Sequence, residues 1–328
     1  MAEAQEIPHR SIELAQAPTS LCWRNGNLFD YLGLGAMISM DGALEGTGFR
    51  ALYRFDASIA SPSEHFFAVW ERLGTKALLF KENQMTRELN RSFYCANVYS
   101  YPFAFFVAPD GREGIVHCPD EYNKITVEDA DTGQRWYADE EGKAIDFFHA
   151  HFKISPDGTK LISEGWAWHP YDDVILCDMS WAGEGLTLSA PRCLSVFEDN
   201  IEEEPYAAEF LDNDRIVVAS LIDEGSVLKV LDWRTLSVVS SFKGQHFGKF
   251  IKVSQNFILC LYEHPFLVDV RTGVAINKWP TIHVGSQTSS ILAGSPPPSI
   301  AFDEKTKRVA IANDKIIHVL DFSEIENK

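Results

Sequence analysis

Apolar and polar residues alternate with a period of two over short stretches along almost the whole chain. Each stretch stops at a turn signal. The clearest unit runs from Phe148 to Ser163. Phe148-His149-Ala150-His151-Phe152-Lys153-Ile154 alternates, Ser155-Pro156-Asp157-Gly158 turns, and Leu161-Ile162-Ser163 resumes the apolar run. This predicts strand, tight turn, strand. A connection over Gly165 to Asp173 then leads to a third strand, Val174-Ile175-Leu176-Cys177-Asp178-Met179.

The unit recurs. Its strand–turn–strand half begins near Leu21, Phe55, Phe105, Phe148, Ala208, Phe250 and Ile300. Its third strand ends on an aspartate at Asp129, Asp178, Asp232, Asp269 and Asp321, separated by 49, 54, 37 and 52 residues. Asp41 takes that place in the first unit and Lys81 in the second. Unequal spacing fits insertions in loops around a constant unit. Seven such units predict an all-β fold, a seven-bladed β-propeller, forming one domain over residues 1–328 with repeats at about 19–322. The last unit lacks an outer strand, and the alternating segment Ser11 to Gln16 lacks a partner. The segment is therefore expected to pair with Lys315 to Leu320 and close the ring, removing two sheet edges. No stretch has a convincing helical period; Glu82 to Leu89 is expected to be a loop and outer strand.

The turns Ser155-Pro156-Asp157-Gly158 and Pro109-Asp110-Gly111 resemble the Ser-Pro-Asp-Gly repeats of WD40-like propellers of the TolB and YVTN type. The strand-end aspartates resemble those of WD40 repeats, although Gly-His and Trp-Asp dipeptides are absent. The resemblance implies the fold. It also implies an expectation of binding, because most propellers of this kind bind other molecules, usually proteins. Fold alone does not carry function.

Propeller geometry sorts the connections. First-to-second and third-to-fourth turns share a lower face, while second-to-third connections and blade crossovers share an upper one. The connection Gly165 to Asp173 brings Trp168, His169, Tyr171, Asp172 and Asp173 to the upper face, and the crossover Ile201 to Tyr206 adds Tyr206. His149 and His151 open an inner strand near the channel mouth. Alternating histidines on a strand point the same way, so His149 and His151, with His169, Asp172 and Asp173, have the residue types of a metal site. The structural alternative packs one ring on Trp166 or Trp168 and bonds the other to a neighbouring backbone group. A propeller hydrolase or lyase acting through His149, His151 and His169 is the competing functional class. No Gly-x-Ser-x-Gly elbow and no phosphate-binding glycine loop occurs. No cofactor is expected.

Composition narrows the partner. The 328 residues are 45% hydrophobic and carry a formal net charge of −18. That argues against nucleic acid and against anionic membrane surfaces. No apolar segment follows the N-terminal methionine, so a cytoplasmic protein is expected. The six cysteines lie apart without a CxxC pair and are expected to be reduced. The second-to-third connections hold Glu71, Asp120, Glu121, Asp172, Asp173, Asp223, Glu224, Glu263 and Asp314 against Arg72, Lys124 and Lys315. An acidic, aromatic upper face predicts a non-catalytic scaffold for a basic protein or peptide. Nothing in the sequence sets an oligomeric state.

Overall fold

The computed structural model describes residues 7–50, 53–140, 144–168, 171–183, 185–198, 201–292 and 297–325. All regular structure among them is β-strand, arranged in seven antiparallel sheets. The innermost strands are Cys22–Arg24, Ala57–Ala60, Phe103–Val107, Phe148–Ile154, Ile201–Phe210, Lys249–Lys252 and Ile300–Asp303. In every blade the second, third and fourth strands follow outward in order. The chain is a seven-bladed β-propeller, with blades one to seven in sequence order. Alternation explains the layers: one face of each sheet packs on the preceding blade and the other on the next. The resulting clusters each draw on adjacent blades, as where Val116 and Val127 meet Leu161 and Ile175.

Ring closure follows the expected pairing with a shifted boundary. The closing strand is His9–Glu13, and it pairs antiparallel with Ile316–Asp321, Ile12 opposite Ile317. Leu14 N–H adds one more bond, to the Lys315 carbonyl at 2.8 Å. Ile12 and Leu14 are buried. The segment Glu82 to Leu89 is a turn followed by the outer strand Gln84–Asn90. All six cysteines are unpaired; four are buried, and Cys193 is exposed.

The lower face repeats one device. Strand-end aspartates bend back onto their own turns. Asp129 accepts from Asp131 N and Thr132 N, Asp232 from Arg234 N and Thr235 N, Asp269 from Arg271 N, and Asp303 from Lys305 N and Thr306 N. A short side-chain acceptor held over free backbone donors fixes a tight turn, so these aspartates are structural.

The upper face carries a long segment unlike the others. Between blades six and seven the chain leaves Lys278 and does not enter the next strand until Ile300. On the way Gly285 pairs with Glu263 of blade six, and Ser290 N–H reaches Asp172 of blade four at 2.7 Å. Leu292 N–H then bonds the Val98 carbonyl in the crossover between blades two and three, at 2.8 Å. The Pro297 carbonyl accepts from Arg72 of blade two at 3.1 Å. A segment bonded in turn to blades six, four, three and two crosses the channel mouth as a strap.

Candidate functional site

Blade four supplies the centre of the upper face. Its second strand is Lys160–Ala167 and its third is Tyr171–Ala182, so Gly165, Tyr171, Asp172 and Asp173 are strand residues and the connection is only a hairpin tip. This corrects the longer loop expected from sequence. His169, at that tip, lies outside the described residues.

The strand register decides where the histidines go. His149 pairs with Gly165 and His151 with Glu164, so Ala150 is bulged out between them. The bulge breaks the alternation that would have put both rings on one side. His149 is buried and its Nδ1 lies 2.7 Å from Ser163 Oγ, whereas His151 Nδ1 lies 3.7 Å from Glu164 Oε2. Ser163 and Glu164 are consecutive on a strand and face opposite ways, so the two histidines diverge. Gly165 permits this: a Cβ there would collide with the Phe148 carbonyl and the Phe147 ring. Burial holds His149 low, to about 3, and it is neutral at physiological pH. Among the described residues no group of three or more His, Cys, Asp or Glu is placed to hold a metal.

Asp172 and Asp173 are also turned inward. Asp172 accepts from Ser290 N at 2.7 Å and from the Ser290 hydroxyl, anchoring the strap. Asp173 accepts from Ser195 N at 2.9 Å, Ser195 Oγ at 2.8 Å and Val174 N at 2.7 Å. Both are buried, and burial pushes both above the usual carboxylate range against these hydrogen bonds. They are positioning groups rather than an exposed charge. Tyr206 is likewise core: it is 1% exposed, and its hydroxyl accepts from Phe247 N–H at 3.1 Å. The stretch expected to be a crossover there is part of the strand Ile201–Phe210.

Trp168 and Tyr171 remain at the surface, 45% and 49% exposed. They do not stand alone. Phe93 and Tyr94, in the crossover from blade two to three, are 86% and 48% exposed. The Tyr94 ring meets Trp168 edge-on at 6.3 Å and Tyr122 at 5.1 Å. Beneath them Phe148 stacks on Trp166 at 3.9 Å and on Tyr122 at 4.3 Å, and both Phe148 and Trp166 are buried. An exposed aromatic layer therefore rests on a packed aromatic floor.

The crossover that presents Phe93 and Tyr94 is held by Arg91. This guanidinium is buried with no carboxylate partner among the described residues and donates to the carbonyls of Gly74 at 2.7 Å, Ser100 at 3.0 Å, Arg72 at 3.3 Å, Ala96 at 2.7 Å and Tyr99 at 3.0 Å. It also lies over the Tyr99 ring at 4.6 Å. Sequence reasoning missed Arg91, Phe93 and Tyr94. The available signal was an Arg followed by a non-alternating aromatic pair between two strands.

Beside Tyr171 a cleft of about 170 Å³ opens between blades four and five, lined by Glu203, Glu204, Asp223 and Leu221. Glu203 is paired with Lys229 at 2.6 Å. Glu204 accepts from Asp172 N–H at 2.8 Å, yet burial and then the Asp172 charge push it up. Other upper-face acids are already answered: Asp120 takes Arg135 in two bonds at 2.8 and 3.0 Å, and Glu121 takes Lys124 at 2.7 Å. Asp223, Glu224, Glu263 and Asp314 are exposed and have no ion-pair partner among the described residues. Among the described residues the unanswered upper-face acids are thus Glu71 on blade two, Glu204, Asp223 and Glu224 at the cleft between blades four and five, and Glu263 and Asp314 on the rim of blades six and seven.

No model of a protein family matches the sequence, and neither does any curated protein sequence. Solved propellers do match the structure. The Dos1 propeller superposes with a TM-score of 0.54 at 9% identity, over 98% of this chain and 97% of that one. Chaetomium thermophilum Raptor superposes with a TM-score of 0.56 at 9% identity, over 95% of this chain and 29% of that one. At 9% identity the likeness is one of fold.

Proposed function

We propose that the chain is a non-catalytic binding module whose upper face takes a basic protein or peptide segment. The observation that carries this reading is the exposed ring pair Tyr94 and Trp168, with exposed Phe93 and Tyr171 close to them along the chain and Tyr171 lining the Glu203, Glu204 and Asp223 cleft. Aromatic side chains with two stiff torsions make good interface anchors, particularly on a packed support. The cleft favours a cation: burial has raised Asp172 and Glu204, and a lysine or arginine head group would relieve both. On this reading Tyr171 joins the two halves. We further read the repeat as WD40-like of the TolB and YVTN type, on the strength of its Ser-Pro-Asp-Gly turn, and the protein as cytoplasmic.

The test uses a panel of lysine- and arginine-rich peptides and measures binding rates over a range of salt. Trp168→Ala should speed dissociation, and Asp223→Lys with Glu224→Lys should slow association and flatten its salt dependence. Wild-type kinetics in both folded variants would refute the upper-face site. The competing hydrolase or lyase reading gains nothing from the divergence of His149 and His151.

A further inference from the structure

The central channel holds a cavity of about 870 Å³, within the range of ligand pockets, lined by strap residues Gln287, Ser289 and Leu292 at one end and by Glu64, Asp303 and Lys305 of the lower-face turns at the other. Its two sides differ. On one, Ile59, Phe103 and Phe105 present apolar surface, and Ile59 is 38% exposed to the cavity. On the other stand His151, Lys153 and Lys249. The His151 ring is 37% accessible but sits deep in the molecule, so it faces the cavity and not the outer surface.

The charges on the polar side are unevenly placed. Glu164 balances both lysines, at 3.0 Å from Lys153 and 2.9 Å from Lys249, but its side chain is only 2% exposed and it lies behind them. Lys249 gives a second N–H to the Tyr206 carbonyl at 2.6 Å, which leaves one of its three donors. Lys153 is saturated by Glu164, Glu209 and the Ala208 carbonyl. Arg72 is engaged by Asp56 at 3.3 Å. His151 Nδ1 is buried and has no hydrogen-bond partner. Burial, then Lys249, and further Lys153 and Arg72 against Glu164, hold His151 down at about 4, so the ring is neutral. A visitor to the cavity therefore meets one ammonium donor and the accessible edge of the His151 ring, the edge away from its buried Nδ1, on a polar wall opposite an apolar one.

We infer that the channel is a binding site for a small amphipathic carboxylate, its acid group on Lys249 and His151 and its apolar body against Ile59, Phe103 and Phe105. The carboxylate would accept the free Lys249 donor and a proton carried on His151 Nε2, the ring nitrogen away from Glu164, and the body would cover apolar surface now left to water. Entry is from the lower mouth, because the strap bonds across the upper one. This site is separate from the aromatic upper face and stands without it.

Decanoate, decan-1-ol and decylamine are the probes, titrated calorimetrically into the full chain at neutral pH. Decanoate should bind with one-to-one stoichiometry, and about tenfold or more tighter than the alcohol or the amine. Ile59→Trp, which fills the apolar side, should weaken decanoate by about tenfold or more, as should Lys249→Met. Melting temperature and circular dichroism establish that each variant is folded. Should Lys249→Met not fold, because Glu164 loses a partner, Ile59→Trp and the alcohol comparison decide. Failure of decanoate to bind at millimolar concentration would overturn the proposal. So would equal affinity for the alcohol, or an unchanged affinity in folded Ile59→Trp.

Discussion

On the lower face, Asp129, Asp232, Asp269 and Asp303 each bond to backbone donors two or three residues ahead, and the ion pairs of Asp129 with Arg112 and of Asp303 with Arg308 stay within their own blades. On the upper face, Asp172 bonds to Ser290, which is 118 residues away in the strap between blades six and seven. The same side chain serves a local turn at one end of the propeller and a cross-ring contact at the other. The difference teaches where change is tolerated. A turn closed by its own residues can be altered without moving its neighbours. The strap, the crossover around Arg91 and the tip of blade four hold one another, so an upper-face change spreads. Rigid mutual support is also what a surface needs to present exposed aromatics in one arrangement.

The largest expected effect sets the scale for both faces. Deleting residues 1–14 removes the closing strand and the buried Ile7, Ile12 and Leu14. Stability should fall by roughly 5 kcal/mol or more, read by denaturant unfolding, since each such side chain contributes about 1.5–3 kcal/mol. An unchanged midpoint would mean that the ring holds without closure.

Arg91→Met comes next. It leaves five carbonyls without this donor, and a loss of about 3 kcal/mol is expected. Hydrogen exchange should rise over residues 91–102 and along the strap while the lower turns keep their protection. Equal exchange on both faces would break the contrast.

The third expectation concerns acid. The folded value of His149, about 3, lies below its ordinary 6.5, so the unfolded chain binds the extra proton. The stabilising effect of its neutral form is complete above pH ~6.5 and is lost as pH falls towards the folded value, by about 1 kcal/mol per unit. Asp172 and Asp173 are shifted upward and act with the opposite sign, so the comparison is with His149→Gln, whose profile should be flatter by one proton between pH ~6 and ~4. Parallel profiles would place the titration elsewhere.

Asp303→Ala should lower stability by about 1–2 kcal/mol, with no change in peptide binding. Loss of binding in that variant would show that the faces communicate. The smallest stability change is expected for Trp168→Ala, whose ring is half in solvent; there the readout is binding, with the melting temperature nearly constant.

Most of the architecture was legible because each blade is specified locally. A period of two, a turn residue and a strand-end aspartate suffice, and Ile12 and Leu14 mark the closing strand by their alternation alone. The site was legible only in part. Trp168 and Tyr171 sit where a hairpin tip must put them. Asp172 and Asp173 were read as exposed because their partners, Ser290 and Ser195, come from connections with no periodic signal. The histidines were misjudged because a bulge at Ala150 follows from the steric fit of Gly165 against Phe148 and cannot be read from spacing. Tyr206 looked like a loop residue only because its strand begins earlier than its apolar run.

The pairing of His9–Glu13 with Ile316–Asp321 has a consequence for synthesis. The strand His9–Glu13 leaves the ribosome long before its partner, with His318 following Ser11 by 307 positions. At translation rates of about 5–20 residues per second, that interval lasts roughly 15–60 s. Throughout it the last completed blade has an open flank, and the segment His9–Glu13 travels unattached. Circularisation thus waits for the seventh blade, and the yield of native protein depends on how well the open arc resists association with other open arcs.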